Sequence, residues 1–306
     1  MTRSKNTLTI LRCSAALRVL RSPPGIFKLP DNPKGCEAPP KNKKFQHNLR
    51  FAPKDYLLEI LNVLKSGVSW NSYSGKIKGN TLNKKHIEWV NVGVYEHFYK
   101  TILNKHLNKV PKTKEFKYLS VDSSFIIDKN GSSASGYNSY YGKKKNGIGI
   151  KVSTITTSSG LPIATSVDPG NDHDCGLFDN VIEKIVVDTK ALEYVNNNRF
   201  KQYILADKAY DSTKVRNTVL KKGFTPIIPK NKRNTKNIMR PSLNRKERTI
   251  IKKRRIVENY FSWMKKYRRI EYLYERNIEN YEGFLFLAMS FIILRKTNLL
   301  QKHNPP

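Results

Sequence analysis

Acidic residues are scarce in this 306-residue chain: 24 Asp+Glu stand against 57 Lys+Arg, a formal charge of +33. So large an imbalance exceeds what solubility needs and suits a polyanionic partner, because each phosphate contacted releases condensed counterions. Cysteine is almost missing. Cys13, Cys36 and Cys175 lie far apart with no CxxC pair, which excludes a zinc knuckle or a disulfide framework and implies a reducing, intracellular setting. Long apolar runs are absent too. The longest, Phe284 to Leu294, falls short of the ~18–20 residues of a membrane span and predicts a buried C-terminal helix. Near the start, Leu8 to Leu11 and Ala15 to Leu20 are interrupted by Arg12 and Arg18, a poor signal peptide. With 38% apolar residues the chain can still build a core, and its length suits about two domains. No repeat is evident.

Residues 1–50 carry eleven Lys/Arg against Asp31 and Glu37, with prolines at Pro23, Pro24, Pro30, Pro33, Pro39 and Pro40; this is the composition of an arm or linker. From Pro53 the texture changes. Tyr56, Leu57, Ile60, Leu61 and Leu64 fall at helical spacing with Gly67 as a stop, and a second helical stretch carries Ile87, Val90, Val94, Phe98 and Leu103. Pro111 punctuates this helical unit. From Phe116 the period drops to two: Leu119, Val121, Phe125 and Ile127 alternate with Ser120, Asp122 and Ser124, the pattern of a strand. A Gly/Ser/Tyr/Lys-rich loop is expected over Asn130 to Asn146. Strands follow at Ile148 to Thr157 and Leu161 to Val167, then a helix over Asp174 to Val187, a strand at Tyr203 to Ala206, a helix over Ser212 to Lys222 and a strand at Phe224 to Ile228. Three strands, helix, strand, helix, strand is the element order of a ribonuclease-H-like α/β domain, which other α/β folds share. Lys230 to Arg255 holds twelve Lys/Arg and one acid, Glu247. A long helix is then expected from about Arg255 to Arg269.

Three acids occupy special places. Asp122 sits mid-strand, Asp207 directly follows a strand, where ligands and catalytic groups collect, and Glu258 lies on the helix from Arg255. At about 100° per residue, Arg254, Ser262, Lys265 and Arg269 share the face of Glu258, while Ile256, Tyr260, Trp263 and Tyr267 form an opposite, buried stripe. Phosphodiester cleavage needs charge stabilised on attacking and leaving oxygens, which a pair of hard divalent cations held by converging carboxylates can do. Each acid also has an ordinary reading: Asp122 as an exposed strand residue, Asp207 as a cap, Glu258 as a partner of Arg254 or Lys265.

Arg254-x3-Glu258-x6-Lys265, in RRIVENYFSWMKK, resembles the R(3)E(6)K core of the signature of DDE-class insertion-sequence transposases. Ile251 stands where that family often has Tyr, a departure at one DNA contact. LADKAYDS around Asp207 and LSVDSSFI around Asp122 resemble the family's other acid motifs, and DPGNDHDCGLF the segment between them. LKSGVSWNSYSG and EWVNVGVYEHFYKTIL resemble the helical N-terminal domain of the type-four and type-five groups. The basic arm over 1–50 is read from composition; the resemblance, over roughly Tyr56 to Leu300, implies a ribonuclease-H-like catalytic domain with a mixed sheet over 112–306, preceded by a small helical DNA-binding domain over 51–111. It implies Asp122, Asp207 and Glu258 as catalytic metal ligands for Mg²⁺ or Mn²⁺, and Arg254 and Lys265 on transposon-end phosphates. The partners implied are double-stranded DNA (terminal inverted repeats and target) and further copies of the chain when two ends are synapsed, with no membrane. The activity implied is cleavage at the ends and transfer of the freed 3′-hydroxyl into target DNA, in a cytoplasmic, nucleoid or nuclear setting. A domesticated, non-cleaving DNA-binding protein and a packaging protein are the rivals. His173 and Asp174 match recurring family positions; Asp174 is expected to cap the helix it begins, Tyr210 and Asp211 to be loop residues, and Trp263 to be core.

Overall fold

The computed structural model describes residues 51–145, 147–185, 201–231 and 242–297; the basic arm and residues 232–241 of the basic segment fall outside them. Helix α1 (Pro53–Ser66) opens on a proline, whose missing N–H is not needed in a first turn, and closes on Gly67 at φ 72. Its spaced apolar residues are buried as expected. The second helical stretch is two helices, α2 (Gly79–Asn91) and α3 (Val94–Leu107). They break at Gly93, whose φ of 70 is left-handed and cannot continue a helix. A single turn, α4 (Lys112–Glu115), follows Pro111.

The strands come next: β1 (Tyr118–Asp128), β2 (Gly136–Tyr137), β3 (Ile148–Thr156) and β4 (Pro162–Pro169), with α5 (Ser139–Lys145) between β2 and β3. The loop expected at Asn130 to Asn146 therefore holds structure. Its cause is local. Asp128 accepts the backbone N–H groups of Asn130, Gly131 and Ser132, a turn that sends the chain back so that Tyr137 pairs with Ile148. Then follow α6 (Asp174–Glu183), β5 (Tyr203–Leu205), α7 (Thr213–Lys221), β6 (Thr225–Ile227), α8 (Arg245–Ile251), α9 (Arg255–Met264), α10 (Arg268–Glu271), β7 (Tyr272–Leu273) and α11 (Ile278–Lys296).

The main ladder runs β4–β3–β1–β5–β6. The first three strands are antiparallel neighbours, while β5 and β6 pair parallel. A hairpin-linked antiparallel trio followed by two parallel strands reached by helical crossovers is the ribonuclease-H-like arrangement, a mixed α/β sheet. Short β2 and β7 extend it at β3 and β1. One continuous hydrophobic core joins the sheet to α1–α3 through α11, which is buried along most of its length. His86 marks this junction, stacked on Phe284 at 4.1 Å between centroids. Among the described residues no helix is long and apolar enough to cross a membrane.

The helix expected to reach Arg269 stops at Met264. Arg269 instead enters the core, 4% exposed, where it pairs with Glu275 at 2.9 Å and donates to the Val68 carbonyl at 2.8 Å. A buried guanidinium needs such partners, and the chain turns after Lys265 to reach them. Arg269 therefore does not share the face of Glu258. The buried stripe of α9 is Val257, Tyr260, Phe261 and Met264, with Ile256, Trp263 and Tyr267 at its margins.

Candidate active site

The site begins where β1 loses its neighbour. Tyr118, Leu119 and Ser120 pair with Tyr203, Ile204 and Leu205 of β5; on that side β1 next pairs at Ile127, with β7. Asp122 lies in the interval. Asp207 lies two residues beyond the last β5 pair, as Asp122 does on β1, and the two are close enough for the charge of Asp207 to act on the Asp122 carboxyl. Asp207 keeps extended backbone (φ −79, ψ 179) and accepts the Ala209 N–H at 2.7 Å, capping the 3-10 turn Lys208–Tyr210. Capping and proximity to Asp122 are thus both present at Asp207.

The third acid arrives on α9, whose apolar stripe packs against β1 and β3. The 3-10 turn Lys252–Arg254 leads into it, and the Lys253 ammonium lies over the Tyr118 ring at 4.3 Å, holding that turn to the start of β1. Arg254 is then placed between two acids. It donates to Asp122 Oδ2 at 2.7 Å and to Glu258 Oε1 at 2.8 Å. Both lengths are those of charge-assisted bonds. Asp122 is about one-fifth exposed and Glu258 about half. Burial pushes the Asp122 carboxyl above its ordinary range, opposed by Arg254 and by the Ser123 N–H, with the Asp207 charge adding to the rise.

Lys265 is the C-cap of α9, still helical in backbone at φ −69 and ψ −8, and partly exposed beside the exposed Lys266. Of the five residues singled out in sequence, Asp122, Arg254 and Glu258 are joined by hydrogen bonds, Asp207 adjoins Asp122, and Lys265 stands at the far end of the helix that carries Glu258.

Sequence reasoning missed a second cluster on the other face of β1. Ser123 Oγ donates to Asp174 Oδ1 at 2.8 Å, and Lys151 Nζ reaches the same oxygen at 3.0 Å and the Asp172 carbonyl at 2.7 Å. The N-cap of α6 is His173, and Asp174 is its first residue, so Asp174 serves as a counterion rather than a cap. A signal existed: Lys151 is the one charge in a largely buried strand and needs a partner. Tyr210 ends the 3-10 turn Lys208–Tyr210 rather than lying in a loop, while Asp211 follows it in a loop as expected. Both are buried, at 1% and 0% exposure, and Asp211 holds Arg216 and the Asn231 N–H. Burial first, then the charges of Asp174, Asp122 and Asp207, drive the Tyr210 phenol well above its usual value, so its hydroxyl stays protonated between the two clusters.

Oxygen donors of this kind suit a hard divalent cation. Asp122 and Glu258 already share one cationic partner, the Arg254 guanidinium, so the donor chemistry fits. Among the described residues no three His, Cys, Asp or Glu side chains converge closely enough to hold a metal, and between Asp122 and Glu258 stands the Arg254 guanidinium.

A sheet of this order, with acids on the central strand, after its parallel neighbour and on the helix packed across them, is a ribonuclease-H-like α/β fold. The family comparison agrees: the Transposase DDE domain matches residues 113–293, and the chain belongs to that family, whose proteins act in DNA transposition. No curated protein matches at a significant level. The crystal structure of the catalytic domain of Mos1 mariner transposase is similar at 10% identity, over 66% of this chain and 92% of that one, with a TM-score of 0.26. That superposition is loose, and the fold assignment stands on the strand order.

Proposed function

We propose that the chain is a transposase that cleaves DNA at the ends of a mobile element and transfers the freed 3′-hydroxyl into target DNA. The observation that carries this reading is the meeting of Asp122 and Glu258 on one guanidinium, with the charge of Asp207 close enough to act on Asp122. Asp122, Asp207 and Glu258 are the residues that would hold Mg²⁺ or Mn²⁺. When bound, such ions stabilise charge on the attacking and leaving oxygens. The chain's own groups do the rest. Asp122 is held mid-strand in β1, and Asp207 just past the end of β5, the parallel neighbour of β1, at the start of a 3-10 turn; Glu258 is carried in by a helix whose opposite side is core. The cations of α8 and the turn after it lie on surface with no buried residue and are suited to tracking phosphates. Arg254 and Lys265 would take the phosphates of the element's end. We assign residues 51–111 to DNA binding, 112–306 to catalysis and 1–50 to a basic arm, with a homo-oligomer holding two ends together.

The test is nicking of a duplex carrying the element's end in the presence of Mg²⁺. Asp122→Ala, Asp207→Ala and Glu258→Ala should each abolish cleavage and leave DNA binding largely intact. Normal nicking by any one variant removes that residue from the site. Binding without nicking by the unaltered chain, under conditions where metal is bound, supports the domesticated, non-cleaving alternative instead.

A further inference from the structure

Arg254 makes an ordinary i,i+4 pair with Glu258, of a kind that contributes little by itself. Its second bond changes its meaning. One guanidinium nitrogen bonds Glu258 Oε1 and the other bonds Asp122 Oδ2, so a single cation ties the helix acid to the strand acid. Arg254 and Asp122 are both about four-fifths shielded from solvent, which keeps the pair from being a screened surface contact. The two carboxylates it uses are two of the three that the proposed function assigns to metal.

We propose that Arg254 is an internal counter-cation that closes the site, and that it must hand Asp122 and Glu258 over to metal as it takes a DNA phosphate. A guanidinium is a planar fork whose donors match two oxygens, on two carboxylates or on one phosphate, equally well. A phosphate therefore replaces the two bonds that Arg254 gives up. Without DNA, metal must displace the guanidinium and strand its positive charge beside the incoming cation. With DNA the guanidinium has a new partner, and the carboxylate oxygens are freed. Binding of metal and of phosphate is then positively coupled through one side chain. By linkage each tightens the other by the same factor, about 5–150-fold for couplings of ordinary size. The arrangement also confines the metal-loaded state to DNA-bound protein.

This inference depends on the proposed metal site, so the experiment separates the two. Mn²⁺ binding to the full chain is followed by the loss of the free-ion paramagnetic resonance signal, with and without a saturating mixed-sequence duplex. The unaltered chain should bind Mn²⁺ weakly alone and at least about 5-fold more tightly with duplex. Arg254→Gln should bind Mn²⁺ more tightly than the unaltered chain in the absence of DNA, and duplex should then add little. Arg254→Lys keeps the charge but not the fork, and should fall between. Circular dichroism of each variant confirms that the fold is kept. If Arg254→Gln binds Mn²⁺ equally or more weakly without DNA, or if duplex tightens both proteins alike, the counter-cation role is refuted while the metal site stands. If Asp122→Asn and Glu258→Gln leave Mn²⁺ binding of the unaltered chain's strength, the metal site itself is wrong and the inference falls with it.

Discussion

Acidification should destabilise this protein through one histidine. His86 is fully buried where α2 meets α11: Nδ1 lies 3.0 Å from the Tyr95 hydroxyl and Nε2 3.1 Å from the Asn280 carbonyl. The tautomer that satisfies both partners is neutral, with Nε2–H donating to the carbonyl and Nδ1 accepting from the phenol. Burial drives its pKa from 6.5 down to about 3; the Asn280 carbonyl opposes the fall and the Arg269 charge adds to it. Below pH 6.5 the unfolded chain takes up a proton that the folded chain refuses until about pH 3, so stability is lost as pH falls through that window. The slope rises toward about 1.4 kcal/mol per pH unit, and its integral is roughly 2.3 kcal/mol between pH 6.5 and 4.5. The assay is urea unfolding of the unaltered chain and of His86→Gln at several pH values. Glutamine can keep both hydrogen bonds and cannot titrate. The variant should be weaker at neutral pH, because it loses the stack on Phe284 and the tilted ring contact with Trp70, yet its stability should fall less steeply on acidification. Parallel curves for the two proteins would refute the buried-neutral assignment.

Neutralising several cations of α8 and the following turn should weaken DNA binding for all sequences and flatten log affinity against log salt by about one unit for each phosphate no longer neutralised; an unchanged slope places them away from DNA. Lys265→Ala should reduce end binding and cleavage together while shifting stability by less than ~0.5 kcal/mol, and Lys265→Arg should restore only part. Lys266→Ala is the control, and equal losses at the two positions would reduce Lys265 to bulk charge. Glu275→Ala should cost about 3–5 kcal/mol in urea unfolding by leaving Arg269 buried without its carboxylate; a change under ~1 kcal/mol means the core rearranges around it.

Much of this protein is local, and the sequence alone determined it. Alternation in β1, the strand-like runs that became β3 and β4, and the spacing of α1 each follow from what a single strand or helix face must bury, so their order and even the sheet's class were legible. The acids were legible for a related reason: an acid is conspicuous in a chain this basic, and Arg254, Glu258 and Lys265 keep a helical spacing. Tertiary structure decided what depends on partners distant in sequence. Nothing near Arg269 tells that its guanidinium is drawn into the core by Glu275 and the Val68 carbonyl, ending α9 early and turning the chain away from the site. Asp174 looked like a cap because its neighbours begin a helix; Lys151 and Ser123, brought to it by two strands, made it a counterion. The same holds for Arg254, whose pairing with Glu258 is one turn of helix but whose bond to Asp122 exists only because α9 packs across β1. Periodicity fixes which side of an element is apolar, whereas a charged side chain goes where the assembled fold offers an opposite charge.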